Sequence, residues 1–156
     1  MSGIIVVDKP IGYTSRDIVN IASKVLKEKK VGHTGTLDPL ATGVLVLCVG
    51  KYTKLVDLLT SEDKEYIAEI KLGITTDTLD ITGNILDSSS ATTTKQDILK
   101  VFSKFIGEYI MEVPKYSAIK VNGKKLYEYA RKGEKITLPI KKVHIYELEL
   151  LSFYKD

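Results

Sequence analysis

Residues 31–43 read Val-Gly-His-Thr-Gly-Thr-Leu-Asp-Pro-Leu-Ala-Thr-Gly and contain the best-placed candidate for chemistry, Asp38. Gly32, Gly35, Gly43 and Pro39 make this stretch a loop with special backbone geometry, in which glycines let the backbone approach a ligand closely. Proline disfavours helical geometry in the residue before it, so Pro39 pushes Asp38 toward an extended conformation. A carboxylate presented from a stiff loop can attack an electrophilic carbon or remove a proton, and such loops are a common home for catalytic groups. The bland alternative is an Asx turn ahead of the proline. Spacing favours function.

The other candidates are weaker. Gly50-Lys51-Tyr52-Thr53 has the look of a phosphate-binding loop, but that loop needs glycines cradling phosphate ahead of the lysine, and here an apolar strand precedes it. Asp77 and Asp80 could hold a hard cation, yet without further oxygen ligands in register they are expected to stabilise turns. Cys48 lies inside an apolar run and reads as core, with nothing nearby to lower its pKa. His144 sits in an alternating strand and reads as structural or exposed. One cysteine excludes an internal disulfide and any multi-cysteine metal site, and two histidines make a His-rich zinc site improbable. A reducing interior, the cytoplasm, follows.

The loop needs elements to position it. Ile4-Ile5-Val6-Val7 is a β-branched run that reads as a buried strand. Thr14-Ser15-Arg16-Asp17 offers a capping-box-like start to a helix, with Ile18, Ile21, Ala22, Val25 and Leu26 at helical spacing behind it. Residues 44–49 form a continuous apolar run, expected as a strand buried on both faces and ended by Gly50. Further on, residues 52–59 suit a short helix and residues 65–72 alternate like a strand. Residues 75–84 read as an irregular connection before a short strand near Ile85 and Leu86, and a polar run over 88–94 follows. Thr94 to Asp97 repeats the capping pattern before a helix carrying Ile98, Phe102, Phe105 and Ile106, stopped by Gly107. Strands are expected over 109–113, 118–121 and 143–150, with a turn at Asn122-Gly123 and a short helix over 126–131. Strands outnumber helices without strict alternation, which is the pattern of an α+β fold with a mixed sheet.

The chain has 156 residues, enough for one domain or part of one. Its 44% hydrophobic and 28% charged content is that of a folded protein, and no apolar run approaches a membrane span. The net charge of +3 hides a pattern: residues 1–55 carry 8 basic and 4 acidic side chains, residues 56–90 carry 2 and 8, and residues 112–142 carry 9 and 3. Two basic blocks around an acidic one are what a polyanion binder would gather on one face, although charge blocks are also ordinary solvated surface.

At the Asp38 loop the resemblance becomes specific. Residues 32–45, Gly-His-Thr-Gly-Thr-Leu-Asp-Pro-Leu-Ala-Thr-Gly-Val-Leu, resemble the catalytic-loop motif of the TruB-type tRNA pseudouridine synthases. Asp8-Lys9-Pro10-Ile11-Gly12-Tyr13-Thr14-Ser15 is similar to that family's opening motif. Thr53-Lys54 with Lys64-Glu65-Tyr66, residues 76–83 and residues 116–123 resemble its later segments, all in family order across essentially the whole chain. The related dyskerin-type synthases, which are guided by small RNAs, share the Asp loop, whereas Pro39-Leu40-Ala41-Thr42-Gly43 looks like the bacterial type that acts alone.

The resemblance implies isomerisation of a uridine in the T loop of tRNA (position 55 in tRNA numbering) to pseudouridine, with no cofactor and no metal. It implies Asp38 as the catalytic carboxylate, Tyr66 stacking on the flipped-out base and His33 lying against the RNA. It implies the synthase catalytic-domain fold, a mixed and mainly antiparallel central sheet flanked by helices. The family's Gly-Thr-Tyr-Ile-Arg motif, which supplies an arginine partner for the aspartate, has no counterpart here, nor has its C-terminal RNA-binding module; Val113-Pro114 stands where the family usually has Pro-Pro. Residues 1–156 are therefore expected to be the N-terminal portion of a single catalytic domain, truncated at its C-terminus. The competing expectations are a non-catalytic RNA-binding or RNA-folding module on the same scaffold and, more distantly, a phosphate-loop nucleotide binder.

Overall fold

The computed structural model describes residues 1–90, 92–117 and 119–154. Ala91 in the polar run, Ala118 at the start of an expected strand, and Lys155 and Asp156 at the chain end lie outside the described residues. The chain divides into two compact units, Met1–Ala68 and Glu69–Asp156.

The first unit contains β1 (Gly3–Lys9), α1 (Ser15–Leu26), β2 (Val31–His33), β3 (Gly43–Val49), a 3-10 turn (Gly50–Leu55) and α2 (Val56–Thr60). Its three strands form one antiparallel sheet in the order β1-β3-β2, with Ile5 opposite Leu47 and Val7 opposite Leu45. Those four side chains share a face. The helix covers it with Ile18 and Val19, and Ala22, Val31 and Leu37 pack around the same cluster. The capping box expected at Thr14 is present, since the Thr14 side chain accepts from the Asp17 amide while the Asp17 carboxylate accepts from the Thr14 amide.

Burial is one-sided where the sequence suggests two. Val6 and Val44 lie on the opposite face of the sheet and are 65% and 70% exposed, so the apolar runs of β1 and β3 are only half covered. At the far end of β3 the second face is closed: Gly32 stands opposite Cys48, and a Cβ on Gly32 would meet Cγ2 of Val56 at 3.2 Å. Val56, the first residue of α2, thus lies close to Gly32, the 3-10 turn packs on the same strands, and Cys48 is fully buried. On α1 the expected apolar stripe is rotated. Ile18 and Val19 point inward, while Ile21 is exposed and Val25 is 74% exposed.

The second unit holds β4 (Ile74–Thr76), β5 (Ile85–Ser88), α3 (Lys95–Phe102), β6 (Gly107–Glu112), β7 (Lys120–Val121), β8 (Lys124–Lys125), α4 (Leu126–Lys132) and β9 (Ile140–Ile145). Its strands pair as β4-β5, β6-β9 and β7-β8, each antiparallel. The α+β class holds. In place of one mixed central sheet, the described strands form four small antiparallel ones.

Four local expectations fail for identifiable reasons. Residues 65–72 form no ladder; alternation defines a strand's faces but not its partner, and Ile67 is left 85% exposed. The long final strand stops at Ile145, where its register with β6 ends opposite Gly107. Helix α3 ends at Phe102, short of Phe105 and Ile106, with Lys104 and Phe105 in successive three-residue turns that return the chain to β6. The strand β4 sits inside the stretch expected to be irregular, pairing with β5 across the Asp77–Asn84 turn. The Asn122-Gly123 turn forms as expected, both residues having positive φ (51° and 82°) between β7 and β8.

Candidate active-site loop

The loop after β2 is anchored at its base and open at its tip. Thr34 is buried and its amide donates to the carbonyl of Val46 on β3 at 3.0 Å. Leu37 packs into the helix–sheet core. Asp38, Pro39 and Leu40 then emerge to solvent, and the Ala41 amide donates back to the Asp38 carbonyl at 3.0 Å to close the turn. Gly43 re-enters β3 with φ +118°, a conformation L side chains rarely adopt.

The carboxylate of Asp38 accepts no hydrogen bond among the described residues. The turn is closed by backbone, the Ala41 amide on the Asp38 carbonyl, and among the described residues no Asx turn forms at Asp38. Neither ion pair among the described residues, Met1 amino group with Glu28 or Lys142 with Glu108, involves it.

Both neighbours of Asp38 are tied to the turn that precedes α1. Leu37 donates its amide to Oγ of Ser15 at 2.9 Å, and the Ser15 hydroxyl reaches the Leu37 carbonyl at 3.3 Å. Pro39 offers its carbonyl to the amide of Gly12 at 2.7 Å. That turn is braced from beneath by Lys9, fully buried, whose Nζ donates to the carbonyls of Pro10 (3.0 Å) and Tyr13 (2.8 Å). Lys9 therefore cannot belong to a basic RNA-facing surface, though its charge counts in the first basic block. Neither Ser15 nor Gly12 signals this role by residue type; both fall in the opening motif, and Ser15 also in the capping stretch of α1.

His33 ends β2 opposite Leu47, half-buried, with its Nδ1 shielded from solvent and without a hydrogen-bond partner among the described residues. Tyr66 lies in the irregular stretch after α2, its side chain 69% exposed. Asp38, His33 and Tyr66 all belong to the first unit, and no side-chain hydrogen bond or ring contact joins one to another among the described residues.

The second unit carries a basic aromatic surface of its own. Lys124 Nζ lies 5.6 Å from the centre of the Tyr129 ring, and Lys125 and Arg131 lie 5.4 and 5.3 Å from that of Tyr127. Tyr129 is fixed by donating to the Val121 carbonyl at 3.0 Å. Basic groups over aromatic faces suit phosphates and exposed bases together.

The remaining candidates take structural roles. Asp77 accepts from the amide and side chain of Asn84, and Asp80 accepts from Thr78 and from Thr82, whose hydroxyls hold its carboxyl below the usual range. Burial pushes the Cys48 thiol up, away from the thiolate. His144 is exposed on β9 and stacks on Tyr146 at 4.6 Å. Gly50-Lys51-Tyr52-Thr53 forms the 3-10 turn, with Thr53 Oγ1 bonded to the Gly50 carbonyl and no cradle of free amides.

Residues 23–156 match the TruB family pseudouridylate synthase N-terminal domain. The chain is 50% identical over 152 residues to a tRNA pseudouridine synthase B of Clostridium acetobutylicum, covering 97% of this chain and 53% of the relative. It is 47% identical over 156 residues to one of Alkaliphilus oremlandii, covering all of this chain and 52% of the relative. It thus spans about half the length of the curated relatives it matches. A crystal structure of a Cbf5-Nop10-Gar1 complex has a similar fold, with a TM-score of 0.61 at 24% identity, over 97% of this chain and 36% of that one.

Proposed function

Since the chain belongs to the TruB family of pseudouridylate synthases, we propose that it supplies the aspartate-bearing part of an enzyme that isomerises uridine to pseudouridine in the T loop of tRNA, at position 55. The observation that carries this reading is Asp38: an exposed residue whose carboxylate has no hydrogen bond among the described residues, on a loop whose flanking residues are both anchored to the rest of the unit.

Isomerisation breaks the bond between base and sugar and remakes it at carbon. The base must leave the stack, at a cost of a few kcal/mol. Tyr66, with its ring open to solvent, can return about 1–3 kcal/mol by stacking on the extruded base. His33, the last residue of β2 and so at the entry to the Asp38 loop, lies against the RNA in this reading. Asp38 either attacks the sugar C1′ and displaces the base at N1, or removes a proton from C2′ as N1 departs; C5 of the turned base then bonds to C1′ and gives up its proton. The Lys124, Lys125 and Arg131 surface, with its tyrosines, takes the phosphate backbone of the T arm. Residues 1–156 work as the N-terminal portion of a catalytic domain, without a guide RNA or metal, in the cytoplasm.

The test is conversion of a T-arm stem-loop by this chain and by a chimera that adds the remaining part of the Clostridium acetobutylicum relative. Asp38→Asn is expected to abolish conversion while RNA binding survives. Conversion untouched by Asp38→Asn would overturn the assignment. Salt-sensitive RNA binding with no conversion in either form would instead mark a non-catalytic RNA-binding module.

A further inference from the structure

We propose that Ser15 is a positioning residue for Asp38, holding the catalytic loop through the peptide groups of Leu37. The inference rests on the reading of Asp38 as the reacting carboxylate and goes beyond it.

Ser15 is the first residue of α1, where a serine would ordinarily be free in solvent or serve as a cap. Here the capping is done by its neighbour, since Thr14 and Asp17 close the box between themselves. The Ser15 hydroxyl is therefore available, and it is turned away from solvent, with the residue 3% exposed. It accepts from the Leu37 amide at 2.9 Å and reaches the Leu37 carbonyl at 3.3 Å, across 22 residues of sequence. The amide bond is the stronger by distance. One hydroxyl thus satisfies both polar groups of the residue immediately before Asp38, which no backbone ladder reaches because Leu37 lies outside β2 and β3.

The other side of Asp38 is held by the same turn. Gly12 donates to the Pro39 carbonyl at 2.7 Å. A bond before and a bond after fix both ends of the Asp38 backbone to residues 12–15. Those residues are themselves rigid, because Lys9 bridges the carbonyls of Pro10 and Tyr13 and the capping box locks Thr14. The Leu37 side chain is in the core cluster, so the loop is pinned by packing on one side of the peptide and by Ser15 on the other. A reacting group must sit within a fraction of an ångström of its productive position, and this double tether supplies that constraint without touching substrate.

The test separates a loop-specific role from loss of helix stability by comparing Ser15→Ala with Asp17→Ala, which opens the capping box of the same helix end but leaves the Ser15 hydroxyl in place. Residue-resolved amide hydrogen exchange on the 156-residue chain is the first readout. In Ser15→Ala the Leu37 amide is expected to exchange about tenfold faster, with Ala41 following, while the β1–β3 ladder stays protected. In Asp17→Ala the first turn of α1 loosens and Leu37 does not. An unchanged Leu37 amide in Ser15→Ala, or equal loosening of Leu37 by Asp17→Ala, would overturn the proposal.

The second readout is conversion of the T-arm stem-loop. Ser15→Ala is expected to lower kcat by about 10- to 100-fold with KM within about twofold, whereas a general loss of stability would lower the active fraction in both variants alike. A Leu37 amide that loosens with kcat unchanged in Ser15→Ala would also overturn it. Failure of Asp38→Asn to abolish conversion sinks the functional reading and not the tether, which the exchange data decide on their own.

Discussion

Tyr66 shows at the scale of one residue how chemistry and stability separate. Its ring is mostly exposed, so its loss is expected to leave the fold almost untouched. If it stacks on the flipped base, Tyr66→Ala lowers kcat/KM by about 5- to 150-fold, the equivalent of the ~1–3 kcal/mol that aromatic–base stacking supplies. Phenylalanine at the same position keeps the π face and loses far less. A thermal melt run beside the kinetics checks the other half, since a Tm that falls with activity would mean that Tyr66 holds structure instead. The loop that carries Asp38 was legible in the sequence because proline and glycine spacing is a local signal. Ser15 was not, because its importance lies in a bond to Leu37 that only folding creates.

At the scale of elements, the two capped helices tie stability to pH. Hydrogen bonds from the Thr14 side chain and then its amide hold the Asp17 carboxyl below its ordinary 3.8, and Thr94 does the same for Asp97. A lowered folded value means the ionised form is favoured by folding. The contribution is therefore complete above the ordinary value and is lost as pH falls through the lower folded one. Helical circular dichroism is expected to drop in acid below about pH 4, and Asp17→Asn with Asp97→Asn should start lower and titrate less over that range. An unaltered acid profile in the double variant would show that the boxes contribute nothing. These starts were readable because a Thr-x-x-Asp pattern is complete within four residues. The strand expected over 65–72 was not confirmed, since a ladder needs a second segment that the pattern does not name.

For the whole molecule, burial is unevenly shared. Ile18, Val19, Leu45, Leu47, Cys48 and Val49 are buried in the first unit; among the described residues the second has Val113 and Leu126. Two units with such different cores should not lose structure together. In a urea series read by hydrogen exchange, the amides of β6 and β9 are expected to open at lower denaturant than those of β3 and α1. Simultaneous loss of both sets would show a single cooperative body instead. The relatives' greater length bears on the same point, for this chain spans about half of theirs.

By itself, the sequence determined the things written in short stretches: the helix caps, the Asn122-Gly123 turn, the apolar runs of β1 and β3, and the Asp38 loop together with the family it resembles. Each depends on residues within about a dozen positions, where local sterics and hydrogen bonding decide the outcome. Only the tertiary structure decided which face of each apolar run is covered, that the 3-10 turn packs on the far end of β3, that Lys9 is buried under a turn, and that Ser15 and Gly12 grip the chain on either side of Asp38. These are contacts between segments far apart in sequence. Burial and pairing are properties of both partners at once, and neither partner's residues announce the other.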